Sequence, residues 1–228
     1  MIRLSVIIPT LNEAALIAEQ LRWTSALPGV NEVVVVDGGS EDATREQVAL
    51  VPRVRLVNSA RGRANQLNAG AAAATGDVLL FLHADVRLPY DASVHVERAL
   101  ARPEVVGGAF KTWTVPDRPT WLAPWLHLAD LRSRYSALPY GDQAMFVRRS
   151  SFEAVGGFPA QPLMEDLELS RRLSAIGRLQ TVPAVVRVSG RRFVARPVFF
   201  TVVVNVFPAL YRLGVSAERL SKLYAQVR

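Results

Sequence analysis

Residues 75–89, TGDVLLFLHADVRLP, decide how the chain is read. Val78, Leu79, Leu80, Phe81 and Leu82 form an unbroken apolar run between a Gly-Asp pair and a polar end. A short run of this kind, with β-branched and aromatic members, is the pattern of a strand buried on both faces. His83 and Asp85 sit where that strand emerges. Open α/β sheets bind ligands at the carboxyl ends of their strands. Residues 83–85 are therefore expected to face a ligand, either a metal or a phosphate-bound metal. The plainer alternative is a loop with a solvated carboxylate and a hydrogen-bonded imidazole.

Working outward, the segments before this strand repeat its logic. Residues 4–8 (LSVII), 32–37 (EVVVVD) and 54–57 (VRLV) read as strands. Between them lie helical patterns. Asn12 is placed to cap the first, with Glu13 complementing its dipole, and Ser40 or Asp42 opens the second. The alanine-rich 61–75 is the third, ended by Gly76. Strands alternating with helices at short spacing predict a mostly parallel α/β sheet covered on both faces.

Downstream the rhythm loosens. Residues 91–101, 150–155 and 165–176 read as helices, and 105–114, 144–147 and 179–188 as strands. Residues 116–139 contain four prolines and read as a helix-containing excursion. One domain is expected, in three segments, 1–90, 91–190 and a helical tail at 191–228. The 228 residues, 50% of them hydrophobic, suffice for one sizeable core.

Composition narrows the function. With no Cys there is no disulfide framework, thiolate metal site or Cys nucleophile. MIRLSVIIPT is too short an apolar run for a signal peptide and reads as a first strand. A net charge of +7 suits an anionic partner, such as a nucleotide or an acidic membrane surface. Nucleic acid is not expected, because no aromatic-basic stacking motif stands out.

Several residues are candidates for chemistry. Asp37 ends a valine strand at the same sheet edge as Asp85, where it could accept from a base or ribose; its alternative is to cap the Gly38-Gly39-Ser40 turn. Glu165 and Asp166 open a helix after a Gly-Gly-Phe-Pro turn. There they are either dipole-stabilised or a general base at a cleft rim. Asp142 follows a turn and could touch an acceptor or cap that turn. No G-x-G-x-x-G follows the first strand and no G-x-x-x-x-G-K-[ST] occurs, which disfavours nicotinamide oxidoreductases and P-loop NTPases.

In order and spacing, SVIIPTLNE, VVVVDGGSEDAT, NAGAAAATGDVLLFLHAD, GDQAMFVRRSSFEAVGGF and MEDLELSRRL resemble the family 2 glycosyltransferases of the GT-A fold, over about residues 3–190. The LHAD variant and the tail GRRF…LYRLGV…RLSKLY resemble the bacterial selenodomain-associated transferases of that family. The resemblance implies a Rossmann-like sheet, a nucleotide-sugar donor, with UDP favoured, an acceptor it does not specify, and a divalent ion, Mn²⁺ or Mg²⁺. By the family pattern Pro9 and Asp37 contact base and ribose, and Arg63 and Asn68 line the nucleotide pocket. Asp85 holds the metal between the phosphates, and Asp166 deprotonates the acceptor in an inverting displacement, with Asp142 and Glu165 nearby on the acceptor side.

His83 is a departure from that pattern. It stands where most members carry the first Asp of Asp-x-Asp, and a hard ion is served less well by imidazole. A contact from His83 to ribose or phosphate is the other expectation. Arg191 or Arg192 adds charge near the phosphates.

The tail segment 198–213 would span about 24 Å as a helix, short of a bilayer core, with Asn205 and Pro208 interrupting it. It is expected to pack on the core or in a homodimer interface, the alternative being an interfacial anchor on anionic lipid. The compartment expected is the cytoplasm, with a peripheral place at the inner membrane face. Two rival functions remain at this point: a nucleotidyltransferase, and a non-catalytic nucleotide-sugar-binding protein.

Overall fold

The computed structural model describes residues 2–116, 127, 130, 133–135, 138–191 and 197–227. Its first half is a regular β-α alternation: β1 (Leu4–Thr10), α1 (Ile17–Ser25), β2 (Val30–Asp37), α2 (Thr44–Ala49), β3 (Val54–Asn58), α3 (Arg63–Ala73) and β4 (Val78–Phe81). There follow β5 (Val86–Arg87), α4 (Ala92–Leu100), β6 (Val105–Val115), a 3₁₀ turn (Gly141–Gln143), β7 (Phe146–Arg148), α5 (Arg149–Ala154), α6 (Glu165–Ile176), β8 (Arg178–Ser189), α7 (Pro197–Arg212) and α8 (Ala217–Val227). Arg192 lies outside the described residues, as does most of the proline-rich excursion.

Eight strands form one sheet in the order β3-β2-β1-β4-β7-β6-β8-β5. The first four are all parallel, and the rest are mixed. Residues 82–85 join β4 to β5, yet three strands separate the two in the sheet. Four residues reach about 14 Å at most. The sheet must therefore curl until its β5 edge returns to the end of β4. That curl brings the end of β8 to Asp85.

Strand alternation sorts the core into two layers. Val33, Val35, Leu80 and Leu82 face one side, packed with α1 and α4 residues such as Leu21 and Val96. Val34, Val36, Leu79 and Phe81 face the other, with Leu67 of α3 and Leu169 of α6. The alanine content of α3 has a steric reason. A Cβ on Gly70 would fall 2.4 Å from Ile7 Cγ2 and 2.9 Å from Val36 Cγ2, so this helix lies too close to the sheet for bulk.

Three local expectations are corrected. Asn12 does not cap α1, which starts at Ile17 with no side-chain cap. Asn12 takes φ 56° instead, and its Oδ1 accepts from the Glu41 amide at 2.9 Å. Asn tolerates this left-handed backbone because its short side chain bonds locally. α3 ends at Ala73, before Gly76. α7 runs through Asn205 and Pro208 without interruption. Val203 and Phe207 pack under it with Leu220 of α8, against Leu163 and Met164, and this tertiary burial outweighs the one amide that Pro208 lacks.

Candidate active site

The loops after β1 and β2 lock together. The Asn12 amide donates to Ser40 Oγ at 2.9 Å, the Glu13 amide to Thr44 Oγ1 at 2.8 Å, and the Ala14 amide to Asp42 at 3.1 Å. This lacing joins the PTLNE segment to GGSEDAT. Asp37 lies beneath it, 1% exposed. Its carboxylate accepts from the Gly39 and Ser40 amides, each at 3.0 Å, and from Ser40 Oγ at 2.5 Å. The turn-capping alternative for Asp37 is thus occupied in the structure, at the strand end where a base would lie. Pro9, half-buried, pairs with Val36 one residue before the Thr10–Asp37 rung.

Glu13 projects from this loop to the other half of the sheet. Its two carboxylate oxygens accept from Arg191 Nη2 at 2.8 and 2.9 Å, and Asp85 Oδ2 lies 3.4 Å from the same nitrogen. One guanidinium from beyond β8 therefore joins the β1 loop to the start of β5. The antiparallel pairing Val86–Val188, with the Ser189 amide donating to the Asp85 carbonyl at 3.0 Å, sets that approach.

A second cluster lies at the start of α6. The Gly141 amide donates to Asp166 Oδ2 at 2.6 Å, and the Leu167 amide to Asp166 Oδ1 at 2.7 Å. Each oxygen keeps a lone pair. A Cβ built on Gly141 would lie 3.0 Å from His83 Nε2 and 3.1 Å from Asp166 Oδ2. A side chain at residue 141 would therefore press on both the imidazole and the carboxylate, which flank this glycine.

Arg63, at the first turn of α3, faces the same space. Partial desolvation works against its charge, the side chain staying 42% exposed, but the carboxylates of Glu165, Asp166 and Asp85 hold its pKa above the ordinary value. Arg63 Nε stands 3.6 Å from Glu165 Oε1. Arg63 at the start of α3, His83 and Asp85 in the β4–β5 loop and Asp166 at the start of α6 thus face one region.

Other candidates take supporting places. Glu165, expected on the acceptor side, is buried with its side chain 4% exposed and faces Arg63. Burial pushes its pKa up, the Asp166 charge adds to this, and Arg63 opposes it without cancelling it. Asn68, expected to line the nucleotide pocket, commits both ends of its amide to Phe158: Nδ2 donates to the carbonyl at 2.8 Å and Oδ1 accepts the amide at 3.0 Å. Asp142 lies in the 3₁₀ turn, where Gln143 rather than Asp142 caps, its Oε1 accepting the Tyr140 amide at 2.9 Å.

Glu13 and Gly141 are the residues that reading the sequence passed over. Local sequence around Glu13 points only to a helix dipole, and only the curl of the sheet brings Arg191 to it.

Whether the site suits a divalent ion turns on its donors. Among the described residues no three His, Asp or Glu side chains gather into a cage. Asp85 offers one carboxylate, 11% exposed, against a guanidinium at the long distance of 3.4 Å. Mg²⁺-type sites commonly take one or two carboxylates and complete their shell with water and substrate phosphates. The lone Asp85 carboxylate is compatible with an ion whose remaining ligands are water and phosphate, and the described residues supply no fuller donor set.

Known proteins share this arrangement of strands. The chain is 32% identical over 166 residues to undecaprenyl-phosphate 4-deoxy-4-formamido-L-arabinose transferases of Pseudomonas paraeruginosa and Pseudomonas aeruginosa, covering 66% of this chain and 48% of theirs. It spans about half the length of these curated relatives. A mannosyltransferase from Pyrobaculum calidifontis, solved with GDP-Man and Mn²⁺, superposes with a TM-score of 0.62 at 28% identity, over 82% of this chain and 56% of that one.

At lower identity the likeness concerns the fold alone. S. aureus TarS 1–349 with UDP-GlcNAc gives a TM-score of 0.63 at 19% identity, over 82% of this chain and 58% of its own. Glucosyl-3-phosphoglycerate synthase from Mycobacterium tuberculosis, with Mn²⁺, UDP and glucosyl-3-phosphoglycerate, gives 0.58 at 22%, over 82% and 70%. Residues 5–156 match the description Glycosyl transferase family 2. That span takes in the strand ends bearing Pro9, Asp37 and Asp85, and by this match the chain belongs to glycosyl transferase family 2.

Proposed function

We propose that this glycosyltransferase moves a sugar from a nucleotide diphosphate donor, UDP-type by preference, to an acceptor hydroxyl with inversion at the anomeric carbon. The observation that carries the reading is Asp166, a carboxylate anchored by two amides and set beside His83 at the sheet edge that also holds Asp85 and Arg63. Residues 1–90 receive the nucleotide and 91–190 the acceptor, and 191–228 form the tail, whose helices α7 and α8 pack on Leu163 and Met164. Pro9 and the Asp37 turn form the floor for base and ribose, and Arg63 and His83 meet ribose and phosphate.

The acceptor oxygen attacks the anomeric carbon as its proton passes to Asp166. The bond from that carbon to the diphosphate oxygen breaks, and the nucleoside diphosphate leaves. Arg191 or Arg192 supplies positive charge toward that leaving group. When a Mn²⁺ or Mg²⁺ ion is bound at Asp85, it supplies Lewis-acid neutralisation of the diphosphate. Glu165 acts at one remove by positioning Arg63.

The LHAD motif and the basic tail support membership of the selenodomain-associated branch. The charge of +7 supports a cytoplasmic protein that meets an anionic membrane surface peripherally. Homodimerisation through the tail is the competing use of α7. Among the described residues no helix is long and apolar enough to cross a membrane.

The test is nucleoside diphosphate release from UDP-GlcNAc, UDP-glucose and GDP-mannose, with and without Mn²⁺, in wild type and Asp166→Asn. Release from one donor that collapses in the variant is expected. Binding without release in every case would mean a sugar-binding protein, and pyrophosphate release from NTP and sugar phosphate would mean a nucleotidyltransferase.

A further inference from the structure

A groove of about 670 Å³ lies at the free edge of the curled sheet, apart from the nucleotide loops. Trp23 of α1, Arg87 of β5, Tyr90, Trp113 of β6 and Arg187 of β8 line it. Its volume is in the range of small-molecule sites. Two features distinguish it from an ordinary crevice.

The first is a rung of like charge. Arg87 and Arg187 are direct partners across the antiparallel β5–β8 pair. Like charges directly opposite each other destabilise a sheet. Glu19 reaches Arg87 at 3.2 Å, but with its side chain 77% exposed it screens little. An anion between the two guanidiniums would relieve the repulsion and accept from both. Arg87 is also held in place, its guanidinium 4.2 Å above the Trp23 ring, whose Nε1 donates to the Leu88 carbonyl at 3.0 Å.

The second is exposed aromatic surface around that charge. Trp113 is 43% exposed and Tyr90 66%. Trp113 stacks on His127 with ring centroids 3.9 Å apart and is Arg187's register partner on the neighbouring strand. Flat aromatic rings beside two arginines opposite each other in register and lining one groove suit a ligand with an apolar ring face and an oxyanion, which describes a phosphorylated sugar. Position agrees with this. Asp85 lies opposite Ser189, and Arg87 opposite Arg187 follows two residues further along the same strands. The groove therefore opens about 7 Å from Asp85 at a strand's rise.

We propose that this groove binds a phosphorylated saccharide, with the phosphate between Arg87 and Arg187 and the sugar ring against Trp113 and Tyr90. Resting on the sugar-transfer reading above, its role is to hold the acceptor, so that an acceptor carrying phosphate is selected.

Calorimetric titration of the full chain tests this with glucose 6-phosphate, glucose and inorganic phosphate, alongside pelleting with phosphatidylglycerol vesicles. Glucose 6-phosphate should bind at least about tenfold more tightly than either glucose or phosphate, and Arg187→Ala and Trp113→Ala should each weaken it by about tenfold. Melting curves of both variants verify folding, and Arg187→Lys should recover part of the affinity. The proposal is overturned if none of the three ligands binds saturably, if binding survives both substitutions, or if only vesicles bind. Donor hydrolysis by the same variants tests the sugar-transfer reading separately, since neither residue touches Asp85 or Asp166 in this arrangement.

Discussion

Asp166 is held at both carboxylate oxygens. Two amides orient its oxygens, and the glycine at 141 leaves room for His83 beside it. Asp166→Asn keeps the shape and removes the proton acceptor that the proposed transfer requires. Turnover should fall about 10²–10⁴-fold with donor affinity unchanged, as read by steady-state kinetics beside donor titration. Gly141→Ala probes the same geometry from the backbone. The new methyl would press on both His83 Nε2 and Asp166 Oδ2 at close to 3 Å. Both are side-chain ends that can yield, so the melting temperature should barely move while kcat/KM drops by up to roughly 10²-fold.

Glu165 makes a pH prediction. Its folded pKa is raised by burial, so the folded state binds a proton more readily than the unfolded chain does. Stability from this group is full below the ordinary carboxylate pKa and is lost as pH rises through the folded value. Glu165→Gln, which stays neutral, should therefore gain melting temperature over wild type as pH rises above the carboxylate range, with the gap closing in acid. A constant gap would mean that Arg63 keeps Glu165 ionised throughout. At this scale the sequence discloses which residues stand at strand ends, because a carboxylate after an apolar run is a local signal. It does not disclose that Asp37 is enclosed by its own turn, or that Asn68 grips Phe158, since both depend on which partner the backbone presents.

Among the elements, α6 is placed by what surrounds its start. Met164, at φ 63°, turns the chain into the helix, and the tail pair α7–α8 packs on Leu163 and Met164. Arg212 of α7 also donates to Tyr140 Oη at 3.2 Å, on the turn that holds Gly141. Phe207→Ala removes a ring that is 8% exposed. It should cost about 3–5 kcal/mol in denaturant unfolding and also lower turnover, because the floor under Asp166 loosens.

Arginine has a structural use as well. Arg149 donates to the Ala71, Ala74 and Gly76 carbonyls at 2.8–3.0 Å, closing the carboxyl end of α3. Arg149→Met should destabilise by about 2 kcal/mol with kcat intact. The parallel strands and their helices were readable because hydrophobic period and length agree there. β5 was not, because two residues carry no period, and its pairing with β8 exists only once the sheet has curled.

Across the whole molecule, the curl sets the response to ligand. It brings the β1 and β2 loops, which carry Glu13 and Asp37, against the β5–β8 end, which carries Asp85 and Arg191. A nucleotide diphosphate lying there would touch both halves, and a ligand bound only to the folded state stabilises it by mass action. At about one hundred times Kd that gain is about 2.7 kcal/mol. For a chain of this size it should raise the melting temperature by roughly 5–10 °C. In a panel of UDP, GDP, TDP and CMP the nucleotide of the true donor should stand out, and Mn²⁺ should enlarge its shift. Asp85→Ala separates the two contributions: it should abolish the Mn²⁺-dependent part and leave the shift given by uridine or guanosine alone. If the Mn²⁺ increment survives in Asp85→Ala, the ion is held elsewhere. If wild type shows no increment at all, Arg191, already within reach of Asp85 and gripped by Glu13, supplies the countercharge on its own, and Arg191→Gln should then remove diphosphate affinity in a way that Mn²⁺ partly restores.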